Sequence, residues 1–132
     1  MRFYRFLSLL LSLYFFASVS AARGEMPAAT STAGLGQLDL SHVSQGWGKP
    51  QSDKNCVEKP MSIAGRQFEA GLGTHAVSVM HLELDGRVTN FSALVGVDDS
   101  AGGRGSVVFR VYGDGRILYD SGILRGGEEA RP

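Results

Sequence analysis

The chain has 132 residues, of which 43% are hydrophobic and 20% charged, which suits one globular domain and excludes a multidomain enzyme. Lys plus Arg and Asp plus Glu each number 13, so the formal net charge is zero. This balance argues against nucleic acid or an anionic membrane surface as the main partner. Glycine supplies 18 residues without a collagen repeat, which indicates many tight turns and favours an all-β fold.

The N-terminus has the features of a secretory signal peptide. Arg2 and Arg5 form a positive start, and residues 6–17 are almost entirely apolar. This apolar run has the length of a signal-peptide core and is shorter than the roughly 20 residues that cross a membrane. Small residues before the bond that follows Ala21 suit cleavage there. We therefore predict a helical signal peptide over residues 1–21 and a secreted or periplasmic protein. An uncleaved membrane anchor is the alternative.

The remainder of the chain is predicted to be a short linker followed by one β domain. Residues 22–36 are small, polar and interrupted by Pro and Gly, which is typical of a linker, and the domain is expected over residues 37–132. Alternating or β-branched apolar residues predict strands over 37–43, 77–84, 90–97, 107–112 and 116–119. Turns are predicted at Ala64-Gly65 and Asp114-Gly115. Strands at this spacing favour a β-sandwich or jelly roll.

Neither the cysteine nor the glycine motif predicts catalysis. Cys56 is the only cysteine, so no internal disulfide forms, and an inert thiol is favoured over a catalytic one. Residues 71–76 match the dinucleotide pattern G-x-G-x-x-A. That pattern requires a helix after the loop to meet the pyrophosphate, whereas a strand is predicted here. The glycines are instead expected to form a tight loop that exposes Thr74 and His75. No catalytic residues are predicted.

Metal binding is left open by the sequence. The three histidines lack zinc-site spacing and one cysteine cannot build a Cys-rich zinc site. Asp98 and Asp99 precede the glycine-rich residues 102–105, and adjacent carboxylates beside such a loop could bind Ca²⁺. A turn in which the aspartates cap backbone amides is the alternative. No cofactor is predicted to be required, and a structural Ca²⁺ ion remains an open alternative.

Six residues on predicted loops could together bind a sugar. A sugar presents an apolar C–H face and alternating hydroxyls, so its site needs an aromatic platform with fixed donors and acceptors. A lone tryptophan is more often part of a core, and such sets occur on many surfaces. The six candidates are Trp47, Thr74, His75, Asp98, Asp99 and Arg104.

Residues 37–131 resemble the NPCBM family of carbohydrate-binding modules, which are found beside glycoside hydrolase domains. The segments that carry the resemblance occur in order. They are 44–51 (SQGWGKPQ), 53–54 (DK), 60–65 (PMSIAG), 71–76 (GLGTHA), 95–99 (VGVDD), 102–109 (GGRGSVVF), 111–115 (VYGDG) and 118–122 (LYDSG).

The resemblance implies a galactose-binding-like β-sandwich that binds glycans without catalysis, often galactose-containing ones. It implies that His75 and Arg104 line the sugar site, with Trp47 and the Asp98-Asp99 loop nearby. It also implies a covalently linked glycoside hydrolase domain in a full-length parent. Because family members continue with further strands, the domain is expected to be incomplete at its C-terminus. The stretch 55–58 (NCVE) departs from the family pattern.

A second function class remains open at this point. Many superfolds host unrelated functions, so a protein–protein or structural β-sandwich domain without sugar binding is the alternative. A fully buried Trp47, with His75 and Arg104 pointing apart, would favour that alternative.

Overall fold

The structure is a computed structural model that describes the backbone of residues 2–6 and 9–17 and all of residues 31–132. Twelve strands are described, together with three short 3₁₀ helices at Leu35–Gln37, Leu40–His42 and Asp99–Ala101. The strands are β1 (Arg2–Phe6), β2 (Leu9–Ala17), β3 (Ser31–Gly34), β4 (Val43–Gln45), β5 (Gln51–Ser52), β6 (Met61–Ile63), β7 (Arg66–Phe68), β8 (Leu72–Thr74), β9 (Ser78–His81), β10 (Asn90–Gly96), β11 (Ser106–Gly113) and β12 (Arg116–Arg125). Among the described residues, no helix has the length and apolarity needed to span a bilayer.

The strands form two main sheets and a small hairpin. One sheet has the order β12-β11-β1-β9-β4, and the other has the order β10-β2-β8-β5 with β3 also paired to β2. All strand pairs among the described residues are antiparallel. The hairpin β6-β7 turns at Ala64 and Gly65, whose φ angles are 49° and 78°. This all-β architecture and the Ala64-Gly65 turn confirm the sequence predictions.

A single main core joins the two sheets, as expected for a β-sandwich. Buried side chains from β8 and β10 meet buried side chains from β9, β11 and β12, and Leu35 completes the cluster. Its members are Leu35, Leu72, Met80, Val95, Val97, Val107, Phe109 and Leu124. Burial alternates over residues 90–93 of β10 and residues 106–109 of β11, which is the period-two pattern that predicts a strand from sequence.

The hairpin between β11 and β12 also confirms its prediction. Gly113 pairs with Arg116, and the intervening Asp114 and Gly115 have φ angles of 49° and 81°. Two successive positive φ angles match the twist of the flanking strands, which is why Asp-Gly is favoured there. The return strand extends to Arg125, six residues beyond the predicted end, because its exposed polar residues obscure the alternation.

Three predicted conformations are wrong. Arg2–Phe6 and Leu9–Ala17 are strands and not a helix. Residues 37–43 begin with 3₁₀ helices and not a strand, because the Asp39 side chain accepts a hydrogen bond from Ser41 N and caps the helix at Leu40. The end of the predicted linker is structured, since β3 starts at Ser31 and Leu35 is buried. The predicted cleavage site lies outside the described residues.

Candidate functional site

The loop after β4 carries the exposed aromatic side chain of the candidate site. Trp47 is 59% exposed. It is therefore not part of the core, where a lone tryptophan is more often found. Gly48 follows it with a φ of 68°, a left-handed conformation that turns the chain back at low cost for glycine. The loop therefore presents the indole to solvent.

His75 lies against this indole from the loop between β8 and β9. The two ring centroids are 5.6 Å apart and the ring planes are inclined at 61°, an edge-to-face arrangement that aromatic pairs favour. His75 Nδ1 lies 2.9 Å from the carbonyl oxygen of Ala76. A carbonyl can only accept, so Nδ1 carries the hydrogen, and in the neutral ring Nε2 is then an acceptor.

Gln45 connects the backbones of the two aromatic residues. Its side-chain amide donates to the carbonyl oxygen of Trp47, and its side-chain oxygen accepts from the backbone N–H of His75 at 3.4 Å. One side chain at the end of β4 therefore fixes both loops. The sequence does not identify Gln45 as a site residue, because an amide next to a glycine gives no recognisable signal without the facing loop.

The two loops can approach closely because residue 46 is glycine. A Cβ atom at Gly46 would lie 2.6 Å from the carbonyl oxygen of Ala76 and 3.0 Å from the backbone nitrogen of Val77. The first distance is shorter than real Cβ contacts. Glycine is therefore required for the packing that brings Trp47 beside His75.

A shallow depression of about 490 Å³ lies next to this aromatic pair. Its walls come from four chain segments between the strands, and they are lined by Trp47, Cys56, Val57, His75, Ser100 and Ala101. Four of these residues were not predicted as site residues: Cys56, Val57, Ser100 and Ala101. Small and apolar side chains are rarely recognisable as binding residues in a single sequence. These four line the depression only because the fold places their loops beside it.

The two predicted aspartates hold loops and do not line the depression. Asp98 is 2% exposed. Its carboxylate accepts hydrogen bonds from Asn55 Nδ2 at 2.8 Å, from the backbone N–H of Ser62 at 3.0 Å and from that of Ser100 at 3.0 Å. Asp99 accepts from the backbone N–H groups of the β6-β7 turn, both at 2.9 Å. These contacts agree with the capping alternative.

Thr74 and Arg104 occupy contrasting positions. Thr74 is 1% exposed, and its hydroxyl accepts a hydrogen bond from Ser78 Oγ at 3.0 Å, so the prediction that the loop exposes it is wrong. Arg104 is exposed in the loop after Ala101 but does not line the depression. Of the six predicted residues, the structure brings Trp47 and His75 together at the depression.

Asn55 explains why the atypical stretch at 55–58 is compatible with the fold. Asn55 is 2% exposed, and its side-chain oxygen accepts from the backbone N–H groups of Val57 and Lys59 at 3.1 and 2.9 Å. Its amide nitrogen donates to Asp98. The buried amide closes a turn that positions Cys56 and Val57 at the depression. Cys56 is itself buried.

A second cavity lies elsewhere among the described residues. Within residues 31–132, no group of three or more His, Cys, Asp or Glu side chains is arranged to hold a metal ion. A larger groove of about 630 Å³ runs beside β10, β11 and β12, and its lining includes Phe91, Tyr119 and Pro132. No predicted site residue lines this groove. The depression beside Trp47 is therefore the better candidate.

Comparisons with known proteins agree with the resemblance seen in the sequence. A family model described as the NPCBM/NEW2 domain matches residues 31–132. A Renibacterium salmoninarum protein that bears the name endo-alpha-N-acetylgalactosaminidase is 34% identical over 94 residues, covering 67% of this chain and 6% of that protein. Alpha-1,3-galactosidase B of Akkermansia muciniphila is 35% identical over 115 residues, covering 83% of this chain and 14% of that protein. No solved structure matches the chain.

The two relatives are much longer than this chain, which indicates whether the matched region is catalytic by itself. The chain spans no more than 14% of either enzyme. The matched region is a small part of two relatives that are named as glycosidases, so it corresponds to a carbohydrate-binding module that is non-catalytic on its own, as predicted.

Proposed function

Because the chain belongs to the NPCBM/NEW2 family, we propose that it binds galactose-configured glycans through Trp47 and His75. The observation that carries the proposal is the exposed indole held edge-to-face against an imidazole beside a shallow depression. In a longer protein, such binding would hold an attached glycoside hydrolase domain near its substrate and raise the effective substrate concentration.

Trp47 supplies the apolar half of the site. An indole has two faces, and a single edge-to-face contact with His75 covers at most one of them. The 59% exposure of Trp47 leaves area for the C–H face of a pyranose ring. Stacking an aromatic ring on apolar C–H groups gains energy from buried area and dispersion.

His75 supplies a polar contact with a defined direction. Since Nδ1 donates to the Ala76 carbonyl, the neutral ring offers Nε2 as an acceptor for a sugar hydroxyl. Selection among sugars then depends on which hydroxyl projects toward His75 when the ring stacks on Trp47. This directionality is what a module needs to distinguish epimers that differ at one hydroxyl.

The names of the relatives support the galactose configuration. One is named for action on α-linked N-acetylgalactosamine and the other for action on α-1,3-linked galactose. Both sugars share an axial 4-hydroxyl, which leaves one face of the ring more apolar than in glucose. A platform such as Trp47 favours a ring with one continuous apolar face.

Isothermal titration with galactose, N-acetylgalactosamine and glucose tests the proposal. We expect saturable binding of the first two sugars and at least tenfold weaker binding of glucose. Trp47→Ala should weaken binding at least tenfold while the melting temperature stays unchanged. Leu118→Ala is the matched control, because Leu118 is also exposed, at 60%, but lies on β12 outside the depression.

Two results would contradict the proposal. One is the absence of binding to galactose, to N-acetylgalactosamine and to a glycan array. The other is binding that Trp47→Ala leaves unchanged. Either result would favour the alternative of a β-sandwich that serves protein–protein or structural contacts.

A further inference from the structure

We propose that Arg2–Phe6 and Leu9–Ala17 act as strand donors that join the two halves of each sheet, so that residues 31–132 form an acceptor with two strand positions to fill. The family model matches only residues 31–132. The strands that connect both sheets therefore come from outside the region that defines the family.

The first acceptor position lies between β11 and β9. Strand β1 pairs with β11 through Arg2↔Tyr112 to Phe6↔Val108, and on its other side it pairs with β9 through Arg2↔His81 to Arg5↔Ser78. In the sheet order, β11 and β9 are neighbours of β1 and not of each other. Without β1, this sheet separates into the two-stranded ribbons β12-β11 and β9-β4.

The second acceptor position lies between β10 and the pair β8 and β3. Strand β2 pairs with β10 over seven residues, from Asn90↔Phe16 to Gly96↔Leu10. On its other side it pairs with β8 over three residues and with β3 over four. Without β2, the pairing of β10 described by the structure is reduced to the single bridge Val95↔Arg131.

The spacing of strands shows what removal of the donor segment would cost. Neighbouring strands lie about 4.8 Å apart, so β11 and β9 are held about 9.6 Å apart by the strand between them. That gap is too wide for direct backbone hydrogen bonds. Two-stranded ribbons are marginally stable at best in water. The unpaired inner edges would also be templates for pairing with other chains.

The donor segment fits these positions in length and composition. Leu9–Ala17 contains nine residues, of which eight are apolar, and nine residues are enough to pair with all seven residues of β10. The same apolar run led to the prediction of a signal peptide. Cleavage after Ala21 would remove β1 and β2 together, so processing there and the fold described above exclude each other in one molecule.

A register-specific crosslink tests the proposal in the full 132-residue chain. Residue 12 lies directly opposite Leu94, where Cβ atoms of paired residues are about 5 Å apart. In a Cys56→Ser background, the pair Ser12→Cys and Leu94→Cys should oxidise to an internal disulfide. Cell-free translation without membranes keeps residues 1–21 in place, and intact mass with a non-reducing gel detects the bond.

The matched control moves one cysteine by a single residue. The pair Ser12→Cys and Ala93→Cys should not crosslink, because successive residues on a strand alternate between faces. Crosslinking of both pairs to the same extent, or of neither pair, would overturn the proposal.

Deletion of residues 1–21 provides the second measurement. We expect the remaining chain to lose the cooperative thermal transition as a monomer, because both sheets lose their joining strands. A monomeric protein over residues 22–132 that unfolds cooperatively, within a few degrees of the full chain, would overturn the proposal even if the crosslink formed.

Discussion

The indole of Trp47 lies edge-to-face with the imidazole of His75, with their centroids 5.6 Å apart. Neither side chain reaches this position through its own loop alone. Gln45 bonds to the backbones of both, and Gly46 allows the loops to touch. The candidate site is therefore a property of loop packing, and mutations that do not contact a sugar should still change its affinity.

Gln45→Ala should weaken galactose binding about tenfold, because it removes two hydrogen bonds that position Trp47 and His75, each contributing about 0.5–1.5 kcal/mol. Gln45→Glu keeps the acceptor for His75 N but loses the donor to Trp47 O, so it should also weaken binding. Titration calorimetry measures both. Gln67→Ala, at an exposed glutamine on β7, is the control. Equal affinities for Gln45→Ala and Gln67→Ala would show that Gln45 does not position the pair.

Gly46→Ala should abolish measurable binding, since its Cβ would approach the Ala76 carbonyl oxygen to 2.6 Å and force the loops apart. Gly86→Ala is the control. Gly86 has a φ of 67° and open space around it, so the substitution should cost about 1–2 kcal/mol of stability through strain and leave affinity unchanged. Unchanged affinity in Gly46→Ala would contradict the close packing of the two loops.

Asp98→Ala should lower the free energy of unfolding by about 3 kcal/mol or more, because three donors lose a charged acceptor and one of them, Asn55, is buried. Asp99→Ala should cost less, since Asp99 is half-buried and accepts two bonds. Urea denaturation monitored by Trp47 fluorescence measures the difference. A smaller loss for Asp98→Ala than for Asp99→Ala would disprove this ranking.

Asp120 should contribute a pH-dependent part of the stability. A hydrogen bond from Arg110 Nε at 2.7 Å, followed by one from the backbone N–H of Gly122 at 2.8 Å, lowers the pKa of this carboxyl below its ordinary value. A lowered pKa in the folded state stabilises the fold above the unfolded-state pKa of about 4, and the stabilisation is lost as pH falls through the folded-state value.

Asp120→Asn should therefore flatten the decline in melting temperature below about pH 4, compared with the unmodified chain. Asp114→Asn, which removes an exposed carboxylate from the adjacent turn, is the comparison. If the melting temperatures of Asp120→Asn and the unmodified chain declined with pH at the same slope, the ion pair with Arg110 would not couple stability to pH.

The strands best predicted from sequence are those with one clearly buried face. Along β10 and β11, the alternation of apolar residues predicts that Val95, Val107 and Phe109 face inward, and all three are buried in the main core. The 3₁₀ helix at Leu40–His42 replaces the predicted strand because one capping bond from Asp39 outweighs a weak alternation. Local hydrogen bonds of this kind leave little trace in hydrophobic periodicity.

The candidate site was predicted only in part, and for a physical reason. Trp47 and His75 were selected because their side-chain chemistry suits sugars, and the structure brings them together. Thr74 and Asp98 have equally suitable chemistry but are buried with their polar atoms paired inside the fold. Whether a polar side chain faces solvent or supports a loop depends on contacts distant in sequence, which a single chain does not reveal.

The residues that hold the depression in place differ from the residues that line it, and the Asn55–Asp98 pair belongs to the first group. The buried amide and carboxylate fix the loops that carry Val57 and Ser100, while both of those side chains are exposed. Specificity can therefore be redesigned by randomising positions 57 and 100 around a constant frame. A library of this kind should keep its expression level while it explores new sugars.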